Sequence, residues 1–87
     1  MNENSEMPKY RSHKEVHALK ILAVQDDLDP DGGRTIVPAD EGFAPFCVDR
    51  EYVQKHSPQA GGYYVVYQDG YKSWSPAEAF ENGYARI

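Results

Sequence analysis

The chain is short of cysteine, of cations and of long apolar runs. Cys47 is the only cysteine in 87 residues, so no disulfide can close within the chain and a reducing compartment is the expected setting. Lys and Arg number 9 against 14 Asp and Glu, a net charge of −5. That excludes broad binding to a nucleic-acid backbone, which needs clustered cations. It leaves room for a small anion held by one or two placed cations. No apolar stretch approaches the roughly 20 residues of a membrane span. The opening residues do not read as a signal peptide, because no basic segment leads into an apolar one. Neither H-E-x-x-H, C-x-x-C nor G-x-S-x-G occurs, and Gly32-Gly33 and Gly61-Gly62 lack the context of phosphate loops. A chain of this length makes one domain. It buries only roughly 60% of its unfolded surface, so the core is thin and homo-oligomerisation is a natural remedy.

What the chain does have is tyrosine: seven, beside three Phe and one Trp. Tyr builds strands well. It also offers large contact area with a polar tip at low entropic cost, as working surfaces use it.

The pattern along the chain predicts a small antiparallel sheet of about four to five strands with two short helices, an α+β fold. Residues 1–8 are polar and aperiodic and read as a disordered tail, leaving 9–87 as the domain. Glu15 to Val24 reads as a largely buried strand, with Val16, Ala18, Leu22 and Val24 on one parity and Leu19, Ile21 and Ala23 on the other. Arg34 to Val37 is a second strand, joined to the first by the acidic loop Gln25 to Gly33. Phe43 to Val48, interrupted by Pro45, is extended and near an edge. Asp49 caps a helix from Arg50 to about His56.

Tyr63 to Gln68, Asp69-Gly70 and Tyr71 to Trp74 form a hairpin, read with a two-residue type I′ turn. Under that turn Val65 lies opposite Trp74 and Val66 opposite Ser73. One face then carries Tyr63, Val65, Tyr67, Lys72 and Trp74, the apolar face expected to pack on Phe80 and the first strand. The other carries Tyr64, Val66, Gln68, Tyr71 and Ser73. Ser75-Pro76-Ala77-Glu78 spells a capping box opening a second helix, Gly83 suits its left-handed end, and Tyr84 to Ile87 closes as a final strand.

Asp27-x-Asp29-x-Asp31-Gly32 matches the opening of a calcium loop. The match lapses at the twelfth position, where Pro38 stands in place of a bidentate Glu, so a solvated acidic turn competes with it. His13, His17 and His56 are scattered; on a strand the first two lie about 13 Å apart, too far to share a metal. Cys47, between Phe46 and Val48, reads as a buried, inert thiol. No cofactor is implied, and no pair of carboxylates is marked for acid–base work. The mixed ring and hydrogen-bonding face, Tyr64, Gln68, Tyr71 and Ser73, has the chemistry of a recognition surface. Lys72, Arg86 and Arg34 are the cations that could meet phosphates beside it. The competing reading is an ordinary solvated sheet face.

The segment from Gly61 to Tyr84, GGYYVVYQDGYKSWSPAEAFENGY, resembles the closing segment of small proteins encoded by tailed bacteriophages and prophages. In those proteins a short basic and apolar strand opens the chain, as KYRSHKEVHALKI does here. The resemblance implies a bacterial host cytoplasm and, by analogy, a non-enzymatic accessory protein that binds a host protein stoichiometrically, as counter-defence inhibitors do. Two alternatives stand beside it. One is a binder or sponge for a small nucleotide signal, with tyrosines stacking a base. The other is a virion or assembly component.

Overall fold

β-branched and aromatic residues are concentrated in segments 34–38 and 63–66, and apolar residues in 15–26, and these become the three central strands of an antiparallel sheet. The computed structural model describes residues 7–11, 15–26 and 31–86. Its elements are β1 (Lys9–Arg11), β2 (Glu15–Asp26), β3 (Arg34–Pro38), β4 (Phe46–Val48), α1 (Arg50–His56), β5 (Tyr63–Val66), β6 (Lys72–Ser75), α2 (Ala77–Gly83) and β7 (Ala85–Arg86). The architecture is α+β: an antiparallel sheet with two short helices. β1, β4 and β7 have only two or three residues each, too few to leave a periodic trace in the sequence.

β2 organises the sheet. Its Ala18 N–H donates to Pro8 and its Lys20 carbonyl accepts from Ala39, while Ile21 exchanges both its bonds with Gly61 and Gly62. The backbone N–H and C=O groups of successive strand residues address opposite edges. So β1 and then β3 occupy one edge of β2, and β5 the other. β4 pairs with β3, β6 with β5, and β7 with β1. Met7 and Pro8, read from sequence as tail, belong to the folded unit: Pro8 is buried and Met7 packs on the core. Residues 1–6 of the expected tail lie outside the described residues.

The β2–β3 register shifts between Ile21 and Ala23, a bulge at Leu22. A bulge reverses inside and outside beyond it. Ile21 and Val24 therefore face the same core, and Leu22 stands 63% exposed. The simple parity that groups Leu22 with Val24 does not survive this insertion.

Both faces of the sheet are covered, each by one helix. Val16, Ala18, Tyr63 and Val65 pack under Phe80 of α2. Phe80 is 2% exposed, and its ring stacks on Tyr63 at 4.3 Å and on Tyr84 at 4.7 Å. Burying a side chain of that size is worth about 1.5–3 kcal/mol. Glu81 latches α2 to the sheet by accepting from the Tyr63 hydroxyl at 2.7 Å and pairing with Lys20 at 3.2 Å. On the other face, Ile21, Ile36, Val48 and Tyr64 pack under Tyr52 of α1.

The ends of the helices show what the sequence resolves. At α1, Asp49 Oδ1 accepts from the Tyr52 N–H at 2.9 Å, as expected of an N-cap, and Ser57 ends the helix at φ +46°. At α2 the expected capping box does not form. Ser75 is the last residue of β6, opposite Tyr63, and its hydroxyl donates to the Pro76 carbonyl at 3.2 Å. Strand pairing holds Ser75 extended, so Pro76 takes the cap position without a side-chain bond and the helix starts at Ala77. Gly83 is not left-handed: the chain leaves α2 through an extended Tyr84, φ −132°, directly into β7. The expected final strand is present as Ala85–Arg86, paired with Tyr10 and Arg11.

Candidate partner-binding site

The hairpin sets which rings are available, and its turn differs from the expected one. The Tyr67 N–H donates to the Tyr71 carbonyl and the Gly70 N–H to the Tyr67 carbonyl, both at 2.9 Å. Gly70 has φ +91°, whereas Gln68 and Asp69 do not have positive φ. This is a three-residue loop: a type I turn followed by a left-handed glycine. Asp69 reinforces it by accepting from the Tyr71 N–H at 3.0 Å, the side-chain turn that Asp favours. A D-G pair suits this loop as well as the two-residue one, so the dipeptide alone does not choose.

The one-residue difference changes the register. Tyr64 lies opposite Trp74, Val65 opposite Ser73, and Val66 opposite Lys72. Trp74 therefore shares a face with Tyr64 and Val66 under α1, and not with Tyr63 and Val65 under Phe80. Tyr64, a sequence candidate for the recognition surface, is 8% exposed. Its ring is wedged 4.8 Å from Phe46 and 5.7 Å from Tyr52. Burial pushes its phenol above the ordinary tyrosine range. It is a core residue. Ser73 is half-buried on the opposite face, and its carbonyl accepts from the Tyr52 hydroxyl at 2.6 Å.

The cations also separate. Arg34 pairs with Asp26 at 3.1 Å, and Arg86 lies 3.7 Å from Asp40 on the far edge of the sheet. Neither lines a groove with the hairpin tip. Of the calcium candidates, Asp27 and Asp29 lie outside the described residues. Asp31 lines a shallow groove with Asp49, Arg50, Glu51 and Gln54. Among the described residues no group of three or more His, Cys, Asp or Glu could hold a metal. Cys47 is exposed on β4, not buried, because only its neighbours Phe46 and Val48 turn toward the core.

Gln68, Tyr71 and Lys72 do come together, at the hairpin tip. Tyr71 is 43% exposed. Its ring stacks near Tyr67 with centroids 6.0 Å apart, and its hydroxyl lies 3.4 Å from His56 Nε2. Lys55 Nζ sits 5.0 Å from the ring centroid. Tyr71 thus forms a ridge between two grooves. Glu15, Tyr67, Gln68 and Asp69 line one; Tyr52, Lys55, His56, Gly70 and Lys72 are among the residues lining the other, of about 460 Å³. The Tyr52 hydroxyl bond to Ser73 ties α1 to β6, the two elements whose residues line the second groove.

Lys55 and His56 are the members of this site that sequence reasoning missed. They end α1, where basic residues suit the helix dipole, and that role explains them locally. The signal that could have found them is the four-residue spacing of Tyr52 and His56, which places both on one helix face; their rings lie 4.9 Å apart. Partial burial and then the Lys55 charge hold His56 below the ordinary histidine range, opposed by a hydrogen bond with the Lys72 backbone. Contact with the Tyr71 hydroxyl chiefly raises Lys55. Among the described residues no helix is long and apolar enough to cross a membrane. No protein-family model, curated protein or solved structure matches the chain.

Proposed function

We propose that this chain is a non-enzymatic accessory protein of a tailed phage or prophage that binds a host protein stoichiometrically in the bacterial cytoplasm, as a counter-defence inhibitor. The phage setting rests on the resemblance of the segment 61–84 to such proteins. The binding role rests on one observation: Tyr71 stands exposed on a braced ridge, held by Tyr67, His56 and Lys55 and rimmed by Gln68 and Lys72. A rigid aromatic anchor with a polar rim is the composition of a protein-binding hot spot. Bracing before contact lowers the ordering cost of binding.

The test is affinity capture from bacterial host lysate at physiological salt, with the wild-type chain and with Tyr71→Ala. The reading expects one protein retained in fixed ratio by the wild type and lost with Tyr71→Ala, since removing an anchor of this kind costs about 2 kcal/mol or more. Capture of nothing, or equal capture by both, would refute it.

A further inference from the structure

A census of the cations singles out one groove. Among the described residues, Lys9 and Arg11 pair with Glu15, Lys20 with Glu81, Arg34 with Asp26 and Arg86 with Asp40. Among the described residues, Lys55, Lys72 and Arg50 have no carboxylate within ion-pair distance. In a chain of net charge −5 such cations are the exception, and two of the three line the same groove. The Tyr71 hydroxyl and His56 Nε2 meet there, 3.4 Å apart. Two carboxylates also line it. Asp49 is engaged in capping, through Tyr52 N–H. Glu51, one turn before Lys55, acts on it electrostatically without forming an ion pair.

The geometry points to an oxyanion-binding groove: Lys55, Lys72, His56 and the Tyr71 hydroxyl receive a carboxylate or phosphoryl group carried by the partner. Lys55 and Lys72 supply charged donors around one opening, which shortens and strengthens the bonds, and the Tyr71–His56 contact leaves one further proton to offer the acceptor oxygens of such a group. The inference rests on the partner-binding reading of the same ridge, and names what the partner must present beside the Tyr71 contact. The titratable groups facing His56 are Lys55, Lys72, Tyr52, Tyr71, Asp49 and Glu51. The two carboxylates balance the two lysines in formal charge, but neither forms an ion pair with them, so the ammonium groups keep donors for an anion carried by the partner.

Two-dimensional NMR of the full chain, titrated separately with inorganic phosphate and with acetate at constant ionic strength, tests this without any partner. The expected result is saturable shifts of the amides of Lys55, His56, Gly70, Tyr71 and Lys72, with the His56 imidazole pKa moving upward. Phosphate saturating alone assigns a phosphoryl group; saturation by both assigns a carboxylate-tolerant site. The double variant Lys55→Gln, Lys72→Gln should weaken binding about tenfold or more, the charge-assisted bonds being lost, and Glu51→Gln should strengthen it. Shifts that do not saturate, that appear equally at Lys9 and Lys20, or that persist in the double variant would overturn the inference. If they do so while Tyr71→Ala still abolishes partner capture, the oxyanion groove falls and the partner-binding reading stands.

Discussion

Replacing Tyr52 with Phe removes one oxygen and leaves everything else in place. The ring keeps its contacts with Tyr64 and His56, so no cavity opens. What goes is the 2.6 Å bond from the hydroxyl to the Ser73 carbonyl, the tie between α1 and β6. A single intramolecular hydrogen bond contributes a net of roughly 0.5–1.5 kcal/mol, and the Ser73 carbonyl stays within the β5–β6 ladder opposite Val65. We therefore expect Tyr52→Phe to cost about 0.5–1.5 kcal/mol, which for a domain of this size lowers Tm by about 2–12 °C. Urea unfolding followed by circular dichroism should show a lower midpoint at unchanged slope, because the surface exposed on unfolding is the same. An unchanged midpoint would refute the claim that this bond joins helix and hairpin. A changed slope would mean that the variant perturbs more than one contact.

Other outcomes follow from the same packing. A methyl group on Gly62 would lie 2.5 Å from Nε1 and Cε2 of the Trp74 indole, so Gly62→Ala should cost about 2 kcal/mol or more. Gly83→Ala, which meets nothing within 4 Å and has no positive φ, should be neutral or stabilise by up to about 1 kcal/mol; equal effects in thermal melts would contradict the packing. At the hairpin tip, Gly70→Ala enters open space, yet the left-handed backbone should cost it about 1–2 kcal/mol. Gln68→Pro occupies the second position of a type I turn and should be tolerated; severe loss in chemical denaturation would favour the two-residue turn instead. Stability should also fall in alkali. Burial raises the phenols of Tyr52, Tyr63, Tyr64, Tyr10 and Tyr84 above their ordinary value. The unfolded chain releases these protons first, from about pH 10, so the contribution is intact below that pH and is lost above it as pH climbs toward the folded values. Denaturation at graded pH should show that decline, shallower in Tyr52→Phe.

Where a residue's role is settled by its neighbours along the chain, sequence reading reached it. Asp49 caps α1 because a short carboxylate reaches the N–H three residues on. The strand at 15–26 follows from its apolar density, and the edge position of Phe46–Val48 from Pro45. Where a role depends on one residue more or less, local rules had no purchase. The bulge at Leu22 and the third loop residue at the hairpin tip each insert one position, and each reverses the side chains beyond it. The loop residue moved Trp74 to the α1 face, and Tyr64 is in the core because α1 covers that face of the sheet. Ser75 shows a second limit: its capping motif is intact in the sequence, but pairing with Tyr63 claims the residue for the strand. Tyr71, Gln68 and Lys72 were legible as a site because a turn tip is exposed in either register. Lys55 and His56 were not, because their position depends on α1 crossing the sheet to reach β6.

Cross-strand backbone contacts in the hairpin, measured by NMR, test the account most directly. It predicts contacts pairing Tyr64 with Trp74 and Val66 with Lys72, and slow exchange of the Tyr67 amide proton. Contacts pairing Val65 with Trp74 and Val66 with Ser73 would contradict it, returning Tyr64 to the face of Tyr71 and dissolving the braced ridge.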